Sequence, residues 1–159
     1  MEREQIAGLT AELNAQLRLV ERVHQRLSDR VSLGLDTPPQ LDSVAYQIHN
    51  LYCAAEDLLK LIAHAFENRI GAGSEWHRTL LLRLSQPILG VRPALLTEET
   101  FDLMKRLRSF RHFIRHGYGA EIQFTQLKPN LDLAMSLPDR LSQDVQHFLA
   151  QLGAESDPL

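Results

Sequence analysis

Apolar residues recur at intervals of three and four along most of this chain. That period admits helices and leaves little room for a sheet. From about Arg3 to Val31 the series is Ile6, Leu9, Leu13, Leu17, Val20, Leu27 and Val31, with Glu, Gln and Arg on the outer face. Gly34 and Asp36-Thr37-Pro38-Pro39 interrupt it. Thr37 suits an N-cap, and Pro38 suits the first helical position, where its missing N–H has no partner to lose. A second series runs from about Pro38 to Asn68 through Leu41, Val44, Ile48, Leu51, Ala55, Leu58, Leu59, Ile62 and Phe66. Ile70-Gly71-Ala72-Gly73 ends it, and Ser74 can cap a short third helix running through Trp76, Leu80, Leu81 and Leu84 towards Ser85.

Pro87, Gly90 and Pro93 mark residues 86–94 as a connection. Thr97-Glu98-Glu99 opens a fourth helix, a capping hydroxyl followed by acids at the positive end of the dipole. Its stripe is Phe101, Met104, Leu107, Phe110 and Ile114, and Gly117 and Gly119 stop it after His116. Lys128-Pro129-Asn130 is read as the start of a last helical region ending near Leu152-Gly153, with Pro138 kinking or splitting it. Ile122-Gln123-Phe124 is the best strand candidate and is too short. The expected fold is an all-α, up-and-down bundle of about five helices with no sheet. It forms a single domain over residues 1–153, followed by a flexible tail over 154–159.

A chain of 159 residues with 44% apolar and 23% charged residues can bury a core of its own. Its formal net charge of -3 excludes binding nucleic acid over the whole surface, so any such contact needs a local basic patch. Cys53 stands alone among helical core residues and reads as a buried, inert thiol. The charged start Met1-Glu2-Arg3-Glu4-Gln5 is unlike a signal peptide, and no apolar run reaches the length that crosses a bilayer. A cytoplasmic protein is expected.

The patch is found between Leu103 and Tyr118, which holds Lys105, Arg106, Arg108, Arg111 and Arg115 and no acid. Charge alone is better met by a solvated face paired with acids elsewhere. Arg111, however, falls at the margin of the apolar stripe beside Phe110 and Ile114, where a half-desolvated guanidinium needs an anion or a partner. His112 and His116 follow one turn apart on the neighbouring flank, and His116 ends the helix, where the dipole favours positive charge. Histidine and arginine together suffice to cleave RNA without a metal or other cofactor. The imidazole takes the 2′-OH proton, and the guanidinium stabilises the charge that gathers on phosphorus. Arg108, His112 and Arg115 are candidate phosphate contacts.

Arg111-x-x-x-x-His116-x-Tyr118 resembles the RxxxxHxY motif of HepT-like toxins in the HEPN superfamily. Trp76-His77-Arg78, Arg92-Pro93-Ala94 and the stretch from Leu107 to Gly119 are also similar to that family. The resemblance implies a homodimer in which Arg111 and His116 of both copies line one cleft and cut RNA, transfer RNA or messenger RNA. It further implies a type VII-like toxin–antitoxin pair, in which a nucleotidyltransferase antitoxin of the MNT type transfers AMP to Tyr118. His112 departs from the small polar residue common after the motif arginine. An alternative is a non-catalytic HEPN module that binds a nucleotide or a nucleotidyltransferase. Another is a plain dimerisation bundle with Arg111 as an interface ion-pair partner.

Other candidates carry simpler readings. His49, His64, His77 and His147 are scattered, and His112 and His116 share the spacing of a zinc helix but lack a third ligand nearby. Trp76 is read as packing, and Glu56-Asp57 as a solvated edge that could pair with the basic helix.

Overall fold

The computed structural model describes residues 1–67, 74–117 and 119–156, the side chains of 74–78 and 156 excepted. Five helices follow in order: α1 (Arg3–Ser32), α2 (Pro38–Phe66), α3 (Ser74–Leu84), α4 (Glu98–His116) and α5 (Phe124–Ser156). The fold is all-α. Among the described residues the β-type pairing is one isolated bridge, between Ile88 and Arg92. No helix there is long and apolar enough to cross a membrane.

The expected stripe of α1 is the one that goes inside: Leu9, Leu13, Val20 and Leu27 are buried. The link to α2 is built from side chains. Thr37 Oγ1 accepts from Gln40 N at 3.4 Å, while Gln40 reaches back, accepting from Thr37 N and donating to Leu33 O at 2.8 Å. Gly34 takes a left-handed turn (φ 113°) there, with the Gln40 side chain packed against it. A link this short reverses the chain, so α2 folds back along α1.

α2 lies at the centre and packs against α1, α3, α4 and α5. Its buried face, from Val44 through Ile48, Leu51, Leu58 and Leu59 to Ile62, joins Leu80, Leu84, Leu107 and Phe148 in one core. Phe66 meets Phe148 edge to face at 6.1 Å, a favoured aromatic arrangement.

The last helix differs from its sequence reading. It begins at Phe124, before Lys128-Pro129, and is not split at Pro138. Gln123 O accepts from Leu127 N at 2.9 Å, and Leu127 is fully buried, so the turn ahead of Pro129 has bonds and packing of its own. Each proline removes one ladder bond. Burial of Leu131, Ala134, Leu137, Leu141, Val145 and Phe148 outweighs that loss. The helix also continues past Gly153 to Ser156.

Two polar anchors set α4 in place. Asp144 on α5, itself buried, accepts from Thr97 N at 3.1 Å, and Thr97 caps α4 through Thr100 N at 3.3 Å. The carboxylate thus sits at the positive end of the helix dipole. Arg92, buried in the α3–α4 connection, donates to the carbonyls of Arg83, Gln86 and Pro93 and meets Glu67 Oε1 at 3.3 Å. Glu67 also holds Arg83 at 3.0 Å. Burial pulls the Arg92 pKa down, and its bonds to Glu67 oppose that shift.

Candidate active site

α4 turns Leu103, Met104, Leu107 and Phe110 inward, which fixes where its basic residues emerge. At about 100° per residue, Arg111, Arg115, Arg108, His112 and His116 fall in that order around the helix, over an arc of about 140°. Arg111 is innermost. Its side chain is 22% exposed, against 5% for Glu56 on α2, and Arg111 Nη1 donates to Glu56 Oε2 at 3.4 Å. The guanidinium lies over the Tyr52 ring, 5.6 Å from its centroid, in reach of a cation–π attraction. One edge of the fork is thereby held against α2, and Nη2 has no hydrogen-bond partner among the described residues.

Glu56 is shared. Lys60 Nζ approaches its other oxygen at 3.4 Å. The carboxylate is therefore nearly removed from water and held between two cations, contrary to the solvated edge read from the sequence; its neighbour Asp57 is exposed as expected. Burial, and then the Glu56 charge, push the Tyr52 phenol well above its ordinary value, so it remains protonated.

The outer end of the arc belongs to the imidazoles. His112 and His116 are both exposed, with ring centroids 4.4 Å apart and planes tilted by 46°. Their contact restricts both rings and leaves His116 open to solvent at the end of α4. Arg115, between them and Arg111, is exposed and makes no ion pair among the described residues. Arg108 is half-buried and acts on Tyr52 through its charge.

The site also takes in His49, which sequence reasoning left among the scattered histidines. It is half-buried on α2, with Nε2 3.7 Å from Cys53 Sγ. Burial and then the charges of Arg111 and Arg115 lower its pKa, so it is neutral at pH 7. Cys53 is half-buried rather than fully so, and burial raises its thiol pKa, as an inert thiol requires. The pairing of Glu56 with the basic helix was open in the sequence, whereas Tyr52 had no signal beyond its place one turn before Glu56.

No group of three or more potential His, Cys, Asp or Glu ligands gathers among the described residues. Tyr118 lies outside them, as do the side chains of Trp76, His77 and Arg78.

The model of the HepT-like protein family matches residues 43–152. This chain belongs to the HepT-like family of the HEPN superfamily. The match runs from Ser43 in α2 to Leu152 in α5 and so includes every side chain of the site just described. Membership carries a toxin-like HEPN role, in a family that is generally linked to ribonuclease activity. No curated protein and no solved structure is similar enough to count as a match. For a HepT-like protein, the positions with the motif spacing are Arg111, His116 and Tyr118, and the first two stand at opposite ends of one basic arc.

Proposed function

We propose that this HepT-like protein is a metal-independent endoribonuclease, the toxin of a HEPN/MNT pair, acting as a homodimer through Arg111 and His116. The observation that carries the reading is the fixed guanidinium of Arg111. It is held by Glu56 and Tyr52 at the inner edge of an arc that carries Arg108, Arg115, His112 and His116 and, from Arg108 to His116, no acid. A phosphate is the ligand that such a surface selects.

Within one copy Arg111 and His116 diverge by about 140° around α4. A two-fold pairing of the arcs would let each His116 face the Arg111 of the other copy, which accounts for a site built twice. In the reaction, neutral His116 takes the proton from a ribose 2′-OH. The 2′-oxygen bonds to the adjacent phosphorus, Arg111 meets the added charge, and the bond to the 5′-oxygen breaks. The leaving oxygen takes a proton from water, and His116 returns the one it took to solvent. The products are a 2′,3′-cyclic phosphate and a 5′-hydroxyl, and DNA, lacking the 2′-OH, is spared. Arg108, Arg115 and His112 contact flanking phosphate. An MNT-type nucleotidyltransferase encoded alongside would neutralise the toxin by adding AMP to Tyr118, placing phosphate charge and nucleotide bulk beside the site.

Growth on expression without a partner gene tests this reading. Arrest by the native chain, relieved by Arg111→Ala and by His116→Ala, is the expected result. Equal arrest by all three, or none by the native chain, would favour a non-catalytic module that only binds nucleotide or nucleotidyltransferase.

A further inference from the structure

On the other side of α2 from α4 lies a groove of about 360 Å³ between α1 and α2. Arg22, Arg26 and Leu19 line it from α1, and Asn50, Cys53 and Asp57 from α2. Gln16 Nε2 donates to Ala54 O at 2.9 Å and ties the two helices together there. Arg22 and Arg26 are exposed, one turn apart, and neither has an ion pair or side-chain hydrogen bond among the described residues.

The acids in and beside the groove have partners other than these arginines. Glu21 lies 3.4 Å from His24, Asp29 accepts from Gln25 at 3.0 Å, and Asp57 lies 3.6 Å from Lys60. The groove therefore presents two exposed guanidiniums with no protein anion on them among the described residues, and its own carboxylate, Asp57, is offset by Lys60, an arrangement that a chain of phosphates fits.

The groove is joined to the candidate active site through α2. Tyr52 and Glu56 lie beneath Arg111; His49, next around the helix, feels Arg111 and Arg115. Cys53, turned about 40° further, touches His49 and also lines the groove. Arginines of α4 and of α1 thus stand at the two ends of one path across α2, with His49 and Cys53 between them.

We infer that the α1–α2 groove continues the RNA path, with Arg22 and Arg26 holding backbone phosphates of the single strand that runs on from the cleavage site. This rests on the ribonuclease reading above and adds to it an extended substrate. The site takes a run of several nucleotides, and short fragments miss the second set of contacts. Leu19, 45% exposed in the groove, offers an apolar contact for a sugar or base.

The test uses the full-length protein and two 2′-O-methyl oligonucleotides, which lack the attacking hydroxyl and so stay intact. Binding of a dodecamer and of a trinucleotide is measured by fluorescence anisotropy across a salt series. The double variant Arg22→Ala/Arg26→Ala should bind the dodecamer about 10-fold more weakly and lower the salt slope by about 1.4. Its affinity for the trinucleotide should not change. Arg18→Ala/Arg30→Ala removes the same charge from exposed positions of α1 outside the groove and should leave dodecamer binding near the native value.

Native affinity and slope in the groove variant, with the native protein still cleaving ribo-oligonucleotides, would overturn the inference and leave the ribonuclease reading intact. An equal loss in the control pair would do the same, reducing the effect to net charge. A native protein that neither binds nor cleaves RNA overturns the ribonuclease reading and this one with it.

Discussion

Arg111 is a half-buried cation, and Glu56 and Tyr52 replace part of what burial takes away. Glu56→Gln keeps the shape and removes the charge. It should lower the cleavage rate by about 10-fold to 100-fold and cost about 1–3 kcal/mol of stability, read by initial rates and urea denaturation. Tyr118→Phe tests a different step. It should cleave RNA normally yet escape neutralisation by a co-expressed nucleotidyltransferase, with no gain of AMP mass. His49 gives a prediction in pH. Its folded pKa lies below the ordinary 6.5, so as pH falls through 6.5 the unfolded chain takes up a proton that folded His49 resists. Stability is therefore lost on acidification in that window. Urea midpoints at pH 7.5 and pH 5.5 should lie closer together in His49→Gln than in the native chain.

The local signals of the helices were legible in the sequence, because caps and stripes act within a turn or two. Thr37 and Thr97 cap the helices assigned to them, and α4 ends at His116 as its glycines require. The start of α5 was not legible. A proline penalty of about 3 kcal/mol is local, whereas the burial of Leu127 and Leu131 that overrides it depends on where the other helices lie. Glu56 was read as a solvated edge that could pair with the basic helix; the pairing forms, with Arg111 55 positions away, and it is the burial that was not legible. Asp144 belongs to that class too, reaching 47 positions back to Thr97. It holds the helix that carries Arg111 and His116, so Thr97→Ala should cost about 1 kcal/mol. Asp144→Ala should cost more, because it removes the acceptor that serves both Thr97 N and Thr97 Oγ1. Urea denaturation followed by circular dichroism measures both.

For the whole molecule, the acidic total and the basic arc are compatible because the positive charge is gathered onto one face of α4 while many of the acids lie elsewhere. The Arg-x4-His spacing in the sequence named the two ends of the arc. Read at about 100° per residue, the same spacing sets how far they diverge around α4, and the proposed reading answers that divergence with a second copy. An Arg111→Ala chain mixed with a His116→Ala chain should regain part of the activity that each lacks alone, since one of the two composite sites in a mixed dimer keeps both native groups. The most direct measurement is digestion of total cellular RNA in EDTA by the purified, partner-free protein whose mass shows unmodified Tyr118, beside His116→Ala. The account predicts fragments ending in 2′,3′-cyclic phosphate from the native protein and none from the variant. Intact RNA in both, or equal cleavage by both, would contradict it.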